Sequence, residues 1–473
     1  MGYMNFNGSL NMNQKVCVIG LGYVGLPLAA LCAIKGYNVT GLETNQFAVD
    51  KINQGLTHIK DVEVERLVKT GHLTGRLKAT TVVNAIASTT IYLICFPTPV
   101  DENQDPDLLP LYSAVDAIAP FLKKDDLVVV ESTVFPGTSE QEVIPRLESL
   151  TDMKAGEDFH VAHCPERVNP GDPFWTSENI PRVVGATSEK GVKQAAEFYA
   201  SILGGGIFDV RSIKLSMNPK FSLNDDGGLH VSQVPLGSVT MMRSIRDAEA
   251  VKAMENTVRD VNIAFVNELA KISDVLGLDV VDIIDGMATK PFGKGPFYPG
   301  VGVGGHCIAV DPEWLKAASK KAGYMAEMIQ LARSTNNGMP EYTVSLLQNM
   351  LNDRGLPLKG TQILVLGVAY KKNVDDPRES PFYEVKELLE KKGAKVDVFD
   401  SWISFENTVE SLDDGLNKAK AVLIVTEHSD VISELKLKDL ENLPLEVIVD
   451  GRNCLKAEDV RLQGVLYSGI GRK

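Results

Sequence analysis

The sequence predicts an α/β chain in three parts: an N-terminal parallel sheet wound with helices, a central helical domain with a long helix, and a C-terminal α/β domain. Three observations carry that prediction. A buried-strand run, Val16 to Ile19, leads into the glycine turn GLGYVG and an Ala/Leu-rich helix, the opening of a Rossmann-type fold. From Ile245 to about Leu276 apolar residues recur every three or four positions. A second βα series opens at Thr361 with TQILVLGVAY and reads as Rossmann-like. With 473 residues the chain has room for two or three domains, each with its own core.

Residues 1–13 are polar and Asn-rich and lack the basic start and apolar stretch of a secretory signal, so a flexible tail is expected there. The first domain is expected over 14–212, where strand-like runs at Val16 to Ile19, Val39 to Leu42, Ile91 to Cys95, Leu127 to Val130 and His160 to His163 alternate with helical stretches. Residues 213–240 lose periodicity and concentrate Asn, Asp, Gly and Pro; this loop insertion is either a lid or a disordered segment. A central helical domain is expected over 241–345. Its long helix aligns Val251, Met254, Val258, Val261, Phe265 and Leu269 in one stripe, which either pairs two subunits in a homodimer or packs into the subunit core. The last domain, 346–473, continues through AKVDVFD, AVLIVTE and VIVDGRN. Its first turn, Gly367 to Tyr370, lacks the spaced glycines that let a backbone wrap a pyrophosphate, so the expected tenant is the mononucleotide part of a substrate.

Composition narrows the function classes. Lys plus Arg number 48 against 62 Asp plus Glu, a net charge of −14, which repels a phosphate backbone and excludes nucleic acid as the expected partner. No apolar run reaches transmembrane length, so no membrane partner is expected. The six cysteines show no CxxC spacing, which argues against a zinc site or a disulfide framework and for a reducing, cytoplasmic setting.

Four stretches carry chemistry. Gly20, Gly22 and Gly25 follow a strand and precede a helix, and Glu43 ends the next strand 21 residues after Gly22. There a carboxylate accepts hydrogen bonds from an adenosine ribose and repels a 2′-phosphate, so the cofactor expected is NAD rather than NADP. In PGVGVGGHCIAVDP, glycines surround Cys307 and clear space around its thiol, which makes it the candidate nucleophile; His306 reads as structural rather than as its base. Lys252, Asn256 and Arg259 share one face of the long helix, a donor set able to hold an oxyanion or simply a solvated polar face. ESTVFPG and CPERVNPGD each follow an expected strand, which nominates Thr133 and Glu166.

With these motifs in view the chain resembles the UDP-glucose/GDP-mannose dehydrogenase family, from Lys15 to about Asn453. GLGYVGLPLA, FPTPVDENQDPD, ESTVFPGT, CPERVNPGD, KAMENTVRDVNIAFVNELA, GVGGHCIAVDP and GVAYKKNVDDPRESP stand in the family's order and spacing. ERVNPGD and TKPFGKGPFYPG resemble the branch that oxidises UDP-N-acetylhexosamines. The resemblance implies an NAD-dependent 6-dehydrogenase of polysaccharide precursor synthesis. In it Cys307 is the nucleophile, Lys252 and Asn256 stabilise oxyanions, Asp311 and Thr133 organise a water, and Glu166 serves hydrolysis. It further implies cofactor contacts from Tyr23, Val24, Pro97, Thr98, Thr133 and Arg378. Substrate contacts are implied from Glu166, Arg167, Lys252, Asn256, Arg259, Gly304, Lys371 and Arg452, with no metal. The chain departs from the family pattern in Glu43 where Asp is commoner, in Ala309 where Pro is common, in its long 213–240 segment, and in offering only Lys290 and Lys294 where an arginine often reaches a partner's substrate.

Two other readings use the same dinucleotide motif. A two-electron hydroxyacid dehydrogenase would employ Lys252 but has no use for Cys307. A non-catalytic NAD-binding regulator would use neither.

Overall fold

The computed structural model describes residues 14–96, 107–168, 174–210, 235–289, 296–305 and 308–472, with the short strands at 3–4, 221–223 and 229–231. Pro97, Thr98, Lys290, Lys294, His306 and Cys307 lie outside the described residues, as does most of 213–240. The chain divides into two compact units, Met1–Ala253 and Met254–Lys473.

The first unit holds β1 (Tyr3–Met4), β2 (Lys15–Ile19), β3 (Asn38–Leu42), β4 (Leu77–Thr80), β5 (Ile91–Ile94), β6 (Leu127–Val130), β7 (His160–His163), β8 (Arg182–Ala186), β9 (Ile207–Asp209), β10 (Phe221–Leu223), β11 (Leu229–Val231) and β12 (Val239–Met241). All but β10 and β11, which pair with each other, form a ten-stranded sheet in the order β1-β9-β12-β8-β7-β6-β5-β2-β3-β4. The run β4-β3-β2-β5-β6-β7 is parallel and has the dinucleotide-fold order, its two halves meeting between β2 and β5. Each inner strand is buried on both faces. Val16 and Val18 enter one core with Leu93 and Val129, while Cys17 and Ile19 enter the other with Tyr92 and Val130.

Two features depart from the expected organisation. The pairing of β7 with β8 is antiparallel, Ala162 opposite Ala186 and His163 opposite Gly185. The stretch expected to be loop also contributes strands: β12 lies parallel between β8 and β9, and β10 pairs with β11. Three-residue strands between Gly and Pro are too short to show a period of two, which is why composition reads them as loop.

The second unit centres on a five-stranded parallel sheet: β13 (Gln362–Leu366), β14 (Lys395–Phe399), β15 (Ala421–Ile424), β16 (Val447–Asp450) and β17 (Leu466–Gly469), ordered β14-β13-β15-β16-β17. The helices expected as a separate central domain share its core. Val266, Val280 and Ile284 belong to the same buried cluster as Met339, Leu347, Ile363 and Val365.

The long helix runs Ile245–Leu276, as its periodicity predicts, and the division between the units falls after its Ala253. Its expected apolar stripe is divided: Met254 is 51% exposed, Val258 45% and Phe265 56%, whereas Val251, Val261 and Leu269 are half-buried and Leu269 packs against the core of the second unit. Its buried positions after Ala253 mix polar residues, among them Asn256, Thr257, Asp260, Asn267 and Ser273, with Ala264, Val266 and Ala270. These polar groups are paired. Arg333 Nη1 and Asn336 Nδ2 donate to Asp260 Oδ1 at 2.7 and 2.8 Å, and Asn267 Nδ2 donates to Asn336 Oδ1 at 2.9 Å. Asn267 Oδ1 in turn accepts from Gly300 N at 3.0 Å, anchoring the start of the glycine loop.

Candidate active site

The turn after β2 uses its three glycines for two different reasons. A Cβ on Gly20, whose φ is +85°, would stand 2.2 Å from the Cys95 carbonyl oxygen, and one on Gly25 would stand 1.9 Å from the Gly20 oxygen. Both are places where chain meets chain. At Gly22 a Cβ would meet nothing within 4 Å, so that glycine faces open space, as a backbone cradle for a pyrophosphate requires. Tyr23 is partly exposed, and Val24 is the N-cap of the helix Gly25–Ile34.

Glu43 ends β3 and closes this turn. Its Oε2 accepts from Leu21 N at 2.8 Å, and its Oε1 accepts from Thr44 N and Asn45 N at 2.9 and 3.0 Å. Burial works against its charge, but these backbone donors outweigh burial and hold the carboxyl below its usual range. The side chain is therefore an anion of fixed orientation with lone pairs left over for ribose hydroxyls. The site residues fit NAD.

Thr133 is half-buried in the segment after β6. Its neighbour Ser132 accepts from Phe96 N at 2.8 Å, and Glu249, fully buried on the long helix, accepts from Gly137 N at 2.5 Å and Ser139 N at 2.8 Å. The Thr133 segment is thus tied to the helical turn just before Lys252. Glu166 lies beside it, after β7, with Oε1 accepting from Arg167 N and Val168 N at 2.6 and 2.8 Å. Its Oε2 pairs with Arg182 Nη2 at 2.7 Å. Arg167 Nη1 donates to Pro181 O at 3.1 Å.

Lys252 is half-buried and has no hydrogen-bond or ion-pair partner among the described residues. One turn on, Asn256 Nδ2 donates to Asp311 Oδ2 at 2.5 Å, and both side chains are buried. Arg259 is exposed, so of the three donors aligned in sequence only Asn256 is seen to engage a second expected site residue.

The glycine loop differs from its expected role. Its glycines admit neighbouring chain rather than clearing an open space: a Cβ on Gly304 would lie 2.7 Å from Glu379 O and 2.9 Å from Tyr370 Cβ, and Gly305 N donates to Arg378 O at 3.2 Å. Arg378 itself is forked onto Asp376, Nε to Oδ1 at 2.8 Å and Nη2 to Oδ2 at 2.6 Å. Arg452 Nε donates to Glu427 Oε2 at 2.7 Å, and a Cβ on Gly300 would come within 2.6 Å of Arg452 Nη1. Lys371 is half-buried in the turn after β13. That turn has its own acidic clamp, since Asp400 Oδ2 accepts from Val368 N at 2.6 Å, Ala369 N at 3.1 Å and His428 Nε2 at 3.0 Å. His428 Nδ1 accepts from Asn373 N at 2.9 Å, so Nε2 carries the proton and His428 bonds Asp400 as a neutral ring.

Sequence reasoning missed Glu131, Arg182, Tyr199, Glu249, Asp376, Asp400 and Glu427. Each is a partner of a site segment; Glu131, Asp400 and Glu427 carried the signal of an ionisable residue at the end of an apolar run, and the others lie within helices, at a strand start or in the DDPRES turn.

Three family models match the chain: the NAD binding domain of the UDP-glucose/GDP-mannose dehydrogenase family over 14–203, its central domain over 246–338 and its UDP binding domain over 364–457. The chain belongs to that family. Among curated relatives it is 34% identical over 459 residues to a UDP-N-acetyl-D-mannosamine dehydrogenase of Pyrococcus horikoshii, covering 97% of this chain and 99% of the relative. It is also 34% identical over 395 residues to a UDP-N-acetyl-D-glucosamine 6-dehydrogenase of Pseudomonas aeruginosa, covering 84% of each. The solved structure of the Pyrococcus horikoshii UDP-D-ManNAc dehydrogenase superposes with a TM-score of 0.83, 33% identity, and coverage of 97% of this chain and 99% of that one. Family members are NAD-dependent oxidoreductases, in keeping with the cradle at Gly22.

The glycine geometry predicts a separation of effects. Gly22→Ala is expected to leave the melting temperature near wild type and weaken NAD binding by tenfold or more, whereas Gly25→Ala is expected to lower the melting temperature. Calorimetric NAD titration and thermal denaturation of both variants check this; equal behaviour of the two would contradict it.

Proposed function

We propose that this chain oxidises the C6 alcohol of a UDP-N-acetylhexosamine to the carboxylate, supplying a uronic acid precursor for polysaccharide synthesis. The observation that carries the reading is the buried contact between Asn256 and Asp311. It joins the long helix, one turn after Lys252, to Asp311, the residue four positions after Cys307. The curated relatives support the substrate class, since they act on UDP-N-acetylmannosamine and UDP-N-acetylglucosamine by name.

NAD, when bound, would accept the hydride of the alcohol, and a second NAD taking its place would accept the hydride of the later step. The first hydride loss, with the hydroxyl proton passed to water, leaves an aldehyde, which gives no second hydride until a nucleophile adds. The Cys307 thiolate adds to the aldehyde carbon and forms a thiohemiacetal; loss of the second hydride leaves a thioester. Lys252 and Asn256 donate to the oxygen that carries negative charge at each stage. Water held by Asp311 and Thr133 attacks the thioester carbonyl, Glu166 takes its proton, the C–S bond breaks, and carboxylate and thiolate separate. Arg259, Arg167, Gly304, Lys371 and Arg452 contact the nucleotide sugar in this reading, and Arg378 the cofactor. The two-electron alternative leaves Cys307 without a task and is not supported by the match to all three family regions.

Cys307→Ser is expected to halt before full oxidation, because an alcohol is a far poorer nucleophile than a thiolate at neutral pH. Product analysis by mass spectrometry checks it, and uronate at the wild-type rate from that variant would refute the thioester route.

The exposed part of the long helix's stripe supports a homodimer. Phe265→Glu places a charge on a 56% exposed position and is expected to give a folded monomer by light scattering and circular dichroism. A folded dimer would count against the stripe as the interface.

A further inference from the structure

Arg182 is 1% exposed and bridges two carboxylates of the first unit: Nη1 donates to Glu131 Oε2 at 2.9 Å, and Nη2 meets Glu166 Oε2 at 2.7 Å. Glu131 is fully buried and accepts a further hydrogen bond from Tyr199. A buried set of this kind is a poor investment for stability, since desolvating three charges offsets most of their attraction. Its placement is informative instead.

In a parallel sheet the first residue of a strand lies at the edge opposite the site. The antiparallel step between β7 and β8 changes that. With His163 opposite Gly185, continuing the register three residues brings Arg182 opposite Glu166, while Val130 opposite His163 leaves Glu131 beside the same segment. The sheet reversal therefore delivers a guanidinium to the edge where Glu166 stands.

We propose that Arg182 is a positioning residue for Glu166 in thioester hydrolysis and that Glu131 is the counter-charge to the Arg182 guanidinium at that site. The proposal rests on the assignment of Glu166 as the hydrolytic base. Three donors hold that carboxylate, Arg167 N, Val168 N and Arg182 Nη2, so only one orientation of the side chain is available. The guanidinium meets a second carboxylate, Glu131, on its other fork, which offsets its charge at the site. Burial pushes the Glu131 carboxyl up to about 7, against the opposing pull of Arg182, so its own protonation removes the offset as pH falls. The ionisable groups facing Glu131 are Arg182 from β8, Glu166 and Cys164 from the segment after β7, Tyr199 from the helix Glu189–Leu203, Cys95 after β5 and Cys32 from the helix Gly25–Ile34. Burial raises all three thiols, which leaves the carboxylates as the anions of the cluster.

The test compares Glu166→Gln, Arg182→Met, Arg182→Lys and Glu131→Gln in the full-length enzyme with NAD and a UDP-N-acetylhexosamine. Each is read for the NADH burst, for intact mass, and for steady-state rate against pH. Arg182→Met is expected to keep the burst, to accumulate an acyl adduct on Cys307 and to slow hydrolysis about 100-fold, the lower range for loss of a general base. Arg182→Lys, with one charge but no fork, is expected to recover part of that loss. Glu131→Gln is expected to be slow at every pH and to lose the acidic limb of the wild-type profile. A purely structural role would lower burst and hydrolysis together and leave the pH profile unmoved, which would overturn the proposal. So would wild-type hydrolysis in folded Arg182→Lys and Glu131→Gln, the variants that decide the matter if Arg182→Met does not fold. An unslowed Glu166→Gln without adduct refutes the base assignment itself and is distinguishable from either result.

Discussion

The contact that ties the long helix to the segment after the glycine loop is the buried hydrogen bond from Asn256 Nδ2 to Asp311 Oδ2, 2.5 Å long. A carboxylate and an amide withdrawn from water must find each other or remain unpaired at a cost of about 1–3 kcal/mol. The same condition repeats along the helix, where Asp260 is met by Arg333 and Asn336, and Asn267 by Asn336 and Gly300 N. The long helix thereby holds both flanks of the loop that carries Cys307, Gly300 on one side and Asp311 on the other. Its inward face combines these polar groups with Ala264, Val266 and Ala270, and Met254, Val258 and Phe265 lie exposed.

The two sheets solve the problem of their first turn in one way and reach different ends. In each, an acidic residue at the end of the neighbouring strand accepts backbone N–H groups of the turn: Glu43 from Leu21, and Asp400 from Val368 and Ala369. The longer Glu43 side chain spans a turn opened by glycines, where Gly22 leaves room for a pyrophosphate. Asp400 closes a turn without such a glycine and is further held by His428, consistent with the UDP binding domain matched there.

The parallel strands and the long helix were legible in the sequence because their apolar residues are continuous or strictly periodic, and burial on both sheet faces leaves no ambiguity at β2, β5 and β6. Periodicity located the stripe of the long helix but carries no information about what the stripe faces. The short strands β9 and β12 were illegible for want of length, and the antiparallel turn into β8 leaves no local trace. Arg182 is the clearest case. A lone arginine ahead of VVGA reads as a strand entering from the surface, and only the register across β7 places it on Glu166. Composition read the glycine loop as clearing space, whereas Gly304 and Gly305 admit Tyr370 and the 378–379 backbone.

The central claim is that one chain carries out two successive hydride removals on one substrate through a thiol adduct. Counting NADH released per UDP-N-acetylhexosamine consumed, with the sugar limiting and NAD in excess, tests it most directly. Two NADH per sugar, with uronate as the product, is the predicted result. One NADH per sugar, with aldehyde released, would contradict the account.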